Sequence, residues 1–237
     1  MRHYTSFALV ALLSSTSLSL AASAQEANAL LDKGNWQAAA AMGVALGSSD
    51  GLSVAAKATT LGAGISDRSA RQGMLEKAQE DANSAIKLNP NNADAYFELA
   101  RADGRLAQLV GILESLPLAR DIKAALGKAI DLNPKMDEAY VALGLWHAEL
   151  AAKGSFVAFA YGADGGQIAP NFNKAIALAP NVIIHRVEYA NALLKLDANK
   201  NKAAAVAQLQ KAVTLTPVTY WDKLDLKTAQ DKLAALQ

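Results

Sequence analysis

The amino-acid sequence predicts an all-α fold: a right-handed solenoid of about five helix pairs that ends in a C-terminal capping helix. Two observations carry this prediction. Alanine and leucine dominate the 237 residues while β-branched and aromatic residues are few, a composition that favours helices over strands. A hexapeptide pattern that ends in proline also occurs four times, and each copy is typical of the last turns of a helix.

The first 24 residues are predicted to be a signal peptide. An apolar stretch at residues 7–13 follows Arg2 and is too short to cross a bilayer, and Ala22, Ser23 and Ala24 form the small-x-small pattern that signal peptidase recognises. Cleavage is expected after Ala24, with an uncleaved anchor as the alternative. The sequence has no cysteine for a lipid anchor and no later stretch that predicts a transmembrane anchor. We therefore expect export to the periplasm of a Gram-negative bacterium, with residues 25–237 forming a single domain.

The hexapeptide copies define the repeats. Each copy places alanine, isoleucine or valine, and leucine on one side of a helix, which its proline then ends. The copies occupy residues 85–90, 129–134, 175–180 and 212–217. A large and a small residue follow at fixed distance in the next helix, as Leu99 with Ala100 and Leu143 with Gly144. This arrangement resembles the tetratricopeptide repeat (TPR), in which small residues let neighbouring helices approach closely.

The remaining helices follow from the same pattern. Residues 30–39 match the turn and second helix of an earlier, weaker repeat, residues 51–63 and 68–88 predict another pair, and residues 222–236 predict the cap.

The repeats are longer than the standard unit. Their prolines lie between 37 and 46 residues apart, against about 34 for a standard TPR. We expect the two longest insertions, at residues 109–119 and 153–169, to form turns between paired helices.

Within the TPR class, residues 76 to about 235 resemble the regulator of microtubule dynamics family. The resemblance rests on residues 85–99, on residues 122–149 with their Ala-Leu-Gly-Leu-Trp run, and on the long insert before Asn173. Members of that family include a lipid-transferring tether at mitochondrial contact sites. The resemblance therefore implies a groove for a phospholipid or another amphipathic ligand.

The first helix of each pair should line the concave face of such a solenoid, and its side chains give the candidate binding residues. The predicted groove is apolar with two arginines one turn apart; guanidinium groups suit the phosphate of a lipid or, equally well, the carboxylate of a peptide. The aromatic residues of the 153–169 insert would form a lid over the groove or fill a gap between helix pairs. The candidates are Phe97, Arg101, Arg105, Val141, Leu145, Val187 and Asn191 in the groove, with Phe156, Phe159 and Tyr161 in the insert.

Two alternatives concern the charged residues of the groove. Arg101 and Arg105 could instead pair with acidic residues of their own helix, such as Glu98. Asp103 stands where the repeat usually has tyrosine, so it needs a partner if it is buried, which Arg101, Arg105 or Lys128 could supply.

The sequence gives no pattern typical of an enzyme. After the signal peptide only His147 and His185 remain, too far apart for a metal-binding or catalytic histidine motif, and there is no cysteine nucleophile. We therefore expect no cofactor and no metal. Removing residues 1–24 leaves 22 basic and 22 acidic residues, so nucleic acid is not an expected partner. The predicted function is a non-enzymatic scaffold that binds a protein or peptide in its concave groove, and the alternative is a carrier of phospholipid or another amphipathic molecule.

Overall fold

The computed structural model describes residues 23–110 and 112–236. The secondary structure of this part of the chain is helical. A short 3₁₀ helix, Gly165–Gln167, precedes α9. The helices are α1 (Ala24–Asp32), α2 (Trp36–Ala45), α3 (Ser49–Ile65), α4 (Arg68–Leu88), α5 (Ala93–Leu109), α6 (Ile112–Leu132), α7 (Asp137–Ala152), α8 (Ser155–Tyr161), α9 (Ile168–Leu178), α10 (Ile183–Leu196), α11 (Ala198–Ala212) and α12 (Tyr220–Leu236).

The helices form five antiparallel pairs and a cap. The pairs are α1–α2, α3–α4, α5–α6, α7–α9 and α10–α11, and α12 packs against α10 and α11. The first helices of successive pairs also contact one another, from α1 through α3, α5 and α7 to α10. This is the predicted TPR-like solenoid with its C-terminal capping helix.

The helix ends follow from local sequence. Helices α4, α6 and α9 each stop two residues before the proline of a hexapeptide copy, and α11 stops five residues before Pro217. The predicted signal peptide lies outside the described residues except for Ser23 and Ala24. Ser23 caps α1, because its hydroxyl accepts the backbone N–H of Glu26 while the Glu26 carboxylate accepts the backbone N–H of Ser23.

The first expected insertion is not a turn. Residues 109–119 were expected to form a loop, but α5 continues to Leu109 and α6 begins at Ile112, so the extra residues mainly lengthen the helices. Pro117 lies inside α6 and removes one backbone hydrogen bond from it. Ala119 and Ile122 are buried in the core against α5 and α7, and this packing stabilises a helix that Pro117 alone disfavours.

The core is a series of apolar clusters between neighbouring helices. Phe172 of α9 is completely buried and stacks on Tyr189 of α10 with ring centres 4.7 Å apart. Gly144 of α7 faces the same ring, and a Cβ atom there would lie 2.8 Å from Phe172. Trp146 is buried between repeats, and its indole N–H donates to the Ala119 carbonyl at 2.7 Å.

The two ends of the solenoid meet. The indole N–H of Trp221, at the start of α12, donates to the carbonyl of Leu31 at the end of α1, with 2.7 Å between nitrogen and oxygen. Tyr220 covers the α1–α2 turn at Gly34, where a Cβ atom would lie 2.5 Å from the tyrosine ring. Gly34 has φ +85°, a conformation that glycine adopts without steric cost. The stack of helix pairs is therefore closed into a ring, with the first helix of each pair on the inside.

Candidate binding pocket on the inner face of the ring

A cavity of about 370 Å³ opens where four helices begin on the inner face of the ring. The helices α1, α3, α5 and α7, which are the first helices of four successive pairs, all contribute to it. Its lining residues are Ala24, Gln25, Asn28, Asp50, Ser53, Val54, Lys57, Asp94, Phe97, Glu98 and Glu138. Of the predicted groove residues only Phe97 is among them.

The rim of the pocket is acidic. Asp50, Asp94 and Glu138 lie in the first turns of α3, α5 and α7. The positive end of each helix dipole stabilises a carboxylate at this position, so the acids also favour helix formation. Lys57 is the cation of the lining, and Val54 and Phe97 supply buried apolar surface.

A buried polar network holds α3, α4 and α5 together next to this rim. Asn92 caps α5 by accepting the backbone N–H of Ala95 at 3.2 Å. Its amide also donates to the hydroxyl of Ser49 at 2.8 Å and to the carboxylate of Asp50 at 3.1 Å. The Ser49 hydroxyl in turn donates to the carbonyl of Ala85 at the end of α4. This network fixes the starts of α3 and α5 relative to each other and hence the position of Asp50 in the rim.

The predicted phosphate ligand Arg101 is already paired. It forms an ion pair with Glu98, one turn earlier in α5, and its guanidinium carbon lies 5.2 Å from the centre of the Phe97 ring. Burial raises the pKa of Glu98, and the nearby charges of Arg101 and Lys57 partly offset that rise. Pairing within the helix, which the sequence left open as an alternative, is thus the arrangement found for Arg101.

Arg105 is exposed, and its charge influences a carboxylate of α12 across the ring. Burial, together with the negative charges of Asp222 and Glu188, raises the pKa of Asp225 in α12 to about 7, and the charge of Arg105 partly opposes that rise. This pairing was not predictable from the sequence, because 120 positions separate Arg105 from Asp225 and only ring closure brings them near.

The other predicted groove residues mostly pack or pair within the protein. Val141 and Val187 are buried, and Leu145 packs against the cluster around Phe172. The Asn191 amide donates to the Glu188 carboxylate at 2.9 Å. The inner surface at α7 and α10 therefore offers little free apolar area.

The insert at residues 153–169 lies away from the pocket. It forms α8 and the 3₁₀ helix in the turn between α7 and α9, as predicted for this insertion. The backbone N–H of Asp164 donates to Nδ1 of His147 at 3.0 Å, and Lys123 of α6 donates to the Gly162 carbonyl at 3.1 Å. His147 and Leu145 are two residues apart, so they project from nearly opposite sides of α7, about 160° apart. The interpretation of the insert as a lid over the groove is therefore wrong, because its anchors lie on the opposite side of α7.

The three aromatic residues of the insert differ in exposure. Tyr161 is half-buried against the core, with the guanidinium of Arg120 5.3 Å from its ring centre. Phe156 and Phe159 are 81% and 85% exposed. Tyr161 thus fills a gap beside α6 and α7, and the two phenylalanines face solvent.

A sequence profile described as "Regulator of microtubule dynamics protein 1-3" matches residues 25–237. The chain belongs to this family. Among curated proteins, no sequence matches the chain significantly.

Two solved structures have a fold similar to that of this chain. A thermophilic TPR protein from Thermus thermophilus superposes with a TM-score of 0.64 and 16% identity, over 87% of this chain and 96% of the other. A putative sel1 repeat protein from Klebsiella pneumoniae subsp. pneumoniae gives a TM-score of 0.50 and 15% identity, over 89% of each chain. Both are helical-repeat proteins, and at these identities the likeness concerns the fold alone.

A second cavity of this family member, about 390 Å³, lies between α4 and α6 with α5 beneath it. The buried carboxylate of Asp103 lines it and accepts a hydrogen bond from the Gln79 amide at 2.7 Å. Burial raises the pKa of Asp103 to about 6, and the Gln79 hydrogen bond partly opposes that rise. The expectation that Arg101, Arg105 or Lys128 would satisfy Asp103 is thus wrong, because a neutral partner comes from the preceding helix pair.

The two histidines are structural and lie apart. His147 is buried and holds the insert. His185 is buried between α10 and α7, with its Nε2 3.0 Å from the Asp137 carboxylate. Among the residues that the structure describes, no cluster of three potential metal ligands occurs. None of the helices in that part of the chain is both long and apolar enough to span a bilayer.

Proposed function

We propose that this protein is an exported, non-enzymatic scaffold that binds a segment of a partner protein in the inner pocket. One observation carries the proposal: the first helices of four successive pairs line a single pocket. Helical solenoids present an extended inner surface to their partners in this way. Residues 1–24 would direct the chain to the periplasm, and cleavage after Ala24 would leave Gln25 as the first residue of the pocket lining.

The chemistry of the pocket supports a protein segment as ligand. Asp50, Asp94 and Glu138 give the rim a negative charge that attracts lysine or arginine side chains. Val54 and Phe97 provide apolar contact, and polar groups such as Asn28 can pair with a peptide backbone.

The phospholipid alternative has less support. The acidic rim repels a phosphate headgroup, and Arg101, the cation that would bind it, is paired with Glu98. The insert that would enclose an acyl chain lies on the other side of α7.

Site-specific photo-crosslinking in the native host tests the proposal. A benzophenone amino acid at Asn28 or Asp94 should capture one dominant protein partner. The same residue at Lys87, exposed on α4, is the matched control and should not capture it. A Glu138→Lys variant should weaken the Asn28 adduct by reversing charge in the rim.

Two results would contradict this function. One is the absence of any protein adduct at the pocket positions, and the other is the same set of adducts from Lys87. A co-purified phospholipid whose amount rises in the Glu138→Lys variant would favour the carrier instead, because this change removes an acid that repels phosphate. Export is tested separately by fusing residues 1–40 to β-lactamase: periplasmic resistance to ampicillin should require residues 7–13.

A further inference from the structure

Helix α8 carries two outward-facing phenyl rings on a fixed base. Phe156 and Phe159 are three residues apart and so share one side of the helix, where they are 81% and 85% exposed. On the other side, Val157 and Tyr161 pack against the core of α5, α6 and α7. The rings therefore cannot turn inward without breaking that packing, and their exposure is built into the fold.

Three cations lie near the base and the ends of α8. Lys153 is the first residue of the insert, two positions before α8. Arg120 lies against Tyr161, and Lys123 donates to the carbonyl of Gly162 at the end of α8. All three residues are exposed. The acid of the insert, Asp164, uses a carboxylate oxygen to cap the 3₁₀ helix by accepting the backbone N–H of Gly166. The patch is thus apolar at its tip and basic at its base, in contrast to the acidic pocket.

We propose that this patch binds the surface of an anionic lipid bilayer, with Phe156 and Phe159 entering the boundary between headgroups and acyl chains. Exposed aromatic side chains above a basic base are the composition of surfaces that lie in this boundary. Lysine is depleted at protein–protein interfaces, and here two of the three surrounding cations are lysines, which favours lipid over a protein partner. Because the patch and the pocket lie on opposite sides of α7, the pocket stays open while the protein is bound to the membrane.

Vesicle sedimentation of the purified full chain tests the membrane site. Vesicles of phosphatidylglycerol and phosphatidylethanolamine should pellet the protein at low salt, and vesicles of phosphatidylcholine alone should bind it about tenfold more weakly. The Phe156→Ser/Phe159→Ser variant should lose about tenfold or more of the binding, because it removes the apolar contact. Lys153→Glu should weaken binding at least about fivefold, an effect that added salt reduces.

Val218→Ser is the matched control, because Val218 is also 85% exposed but lies before α12. This variant should bind like the unmodified protein, and all variants should keep its unfolding temperature. The proposal is wrong if the unmodified protein does not pellet with phosphatidylglycerol vesicles, or if the double serine variant binds as well as it does. It is also wrong if the serine changes halve the mass measured by light scattering, since the rings would then contact a second copy.

Discussion

Replacing Gly34 with alanine should destabilise the ring through two separable effects. The first is local: Gly34 has φ +85°, and an alanine held in a left-handed conformation costs about 1–2 kcal/mol. The second depends on closure: the new Cβ atom would lie 2.5 Å from the Tyr220 ring, an overlap whose relief costs about 1–3 kcal/mol. The free energy of unfolding should therefore fall by about 2–5 kcal/mol.

Urea unfolding followed by circular dichroism separates the two effects. Gly47→Ala is the matched control, because Gly47 has φ +60° and no atom within 4 Å of a Cβ there, so its cost of about 1–2 kcal/mol is the backbone effect alone. In a Tyr220→Ala background the overlap is absent, and Gly34→Ala should then cost no more than Gly47→Ala. The coupling energy between positions 34 and 220 should be about 1–3 kcal/mol. An equal cost of Gly34→Ala in both backgrounds would refute ring closure.

Two further predictions concern buried positions elsewhere in the ring. In urea unfolding, Gly144→Ala should lower the free energy of unfolding by about 1–3 kcal/mol, because its Cβ atom would lie 2.8 Å from the buried Phe172 ring. Gly127→Ala is the control: space around its Cβ atom is open, so the change should stabilise α6 by about 0.5–1 kcal/mol. An equal effect at both sites would contradict the packing of Gly144 against Phe172. Asp103 has a pKa of about 6 in the folded protein, above its unfolded value, so its contribution to stability is full below about pH 4 and is lost as the pH rises through 6. Asp103→Asn should therefore raise the free energy of unfolding at pH 7 by up to about 2 kcal/mol and change it little at pH 4, and an unchanged pH dependence would argue that Asp103 is ionised without penalty.

The features that the sequence predicted well depend on neighbouring residues. The hexapeptides place the ends of α4, α6 and α9 because proline acts on its own helix. Leu99 with Ala100, and Leu143 with Gly144, identified the repeat because the spacing of large and small residues sets how helices pack.

The features that it missed depend on contacts between distant parts of the chain. Gly34 already fits the turn of a TPR hairpin, so nothing in its local sequence indicated that Tyr220 would cover it. Arg101 and Arg105 were identified as inner-face residues, but whether a charge is free depends on its neighbours, which are Glu98 for one and Asp225 of α12 for the other. The position of the insert in the chain was predicted, but the side of α7 against which it packs was not, because nothing in the sequence around His147 indicates that the backbone of Asp164 binds it.

The contact between Trp221 and Leu31 also determines how many helix pairs the protein can have. An open solenoid can gain or lose a pair by duplication or deletion, because each unit needs only its neighbours. In this chain, one more pair would carry Trp221 past the α1–α2 turn, and one fewer would leave it short, so the number of repeats cannot drift without losing the contact. During synthesis the first hairpin emerges about 190 residues ahead of its partner, and it gains this contact only when the last helix has been made.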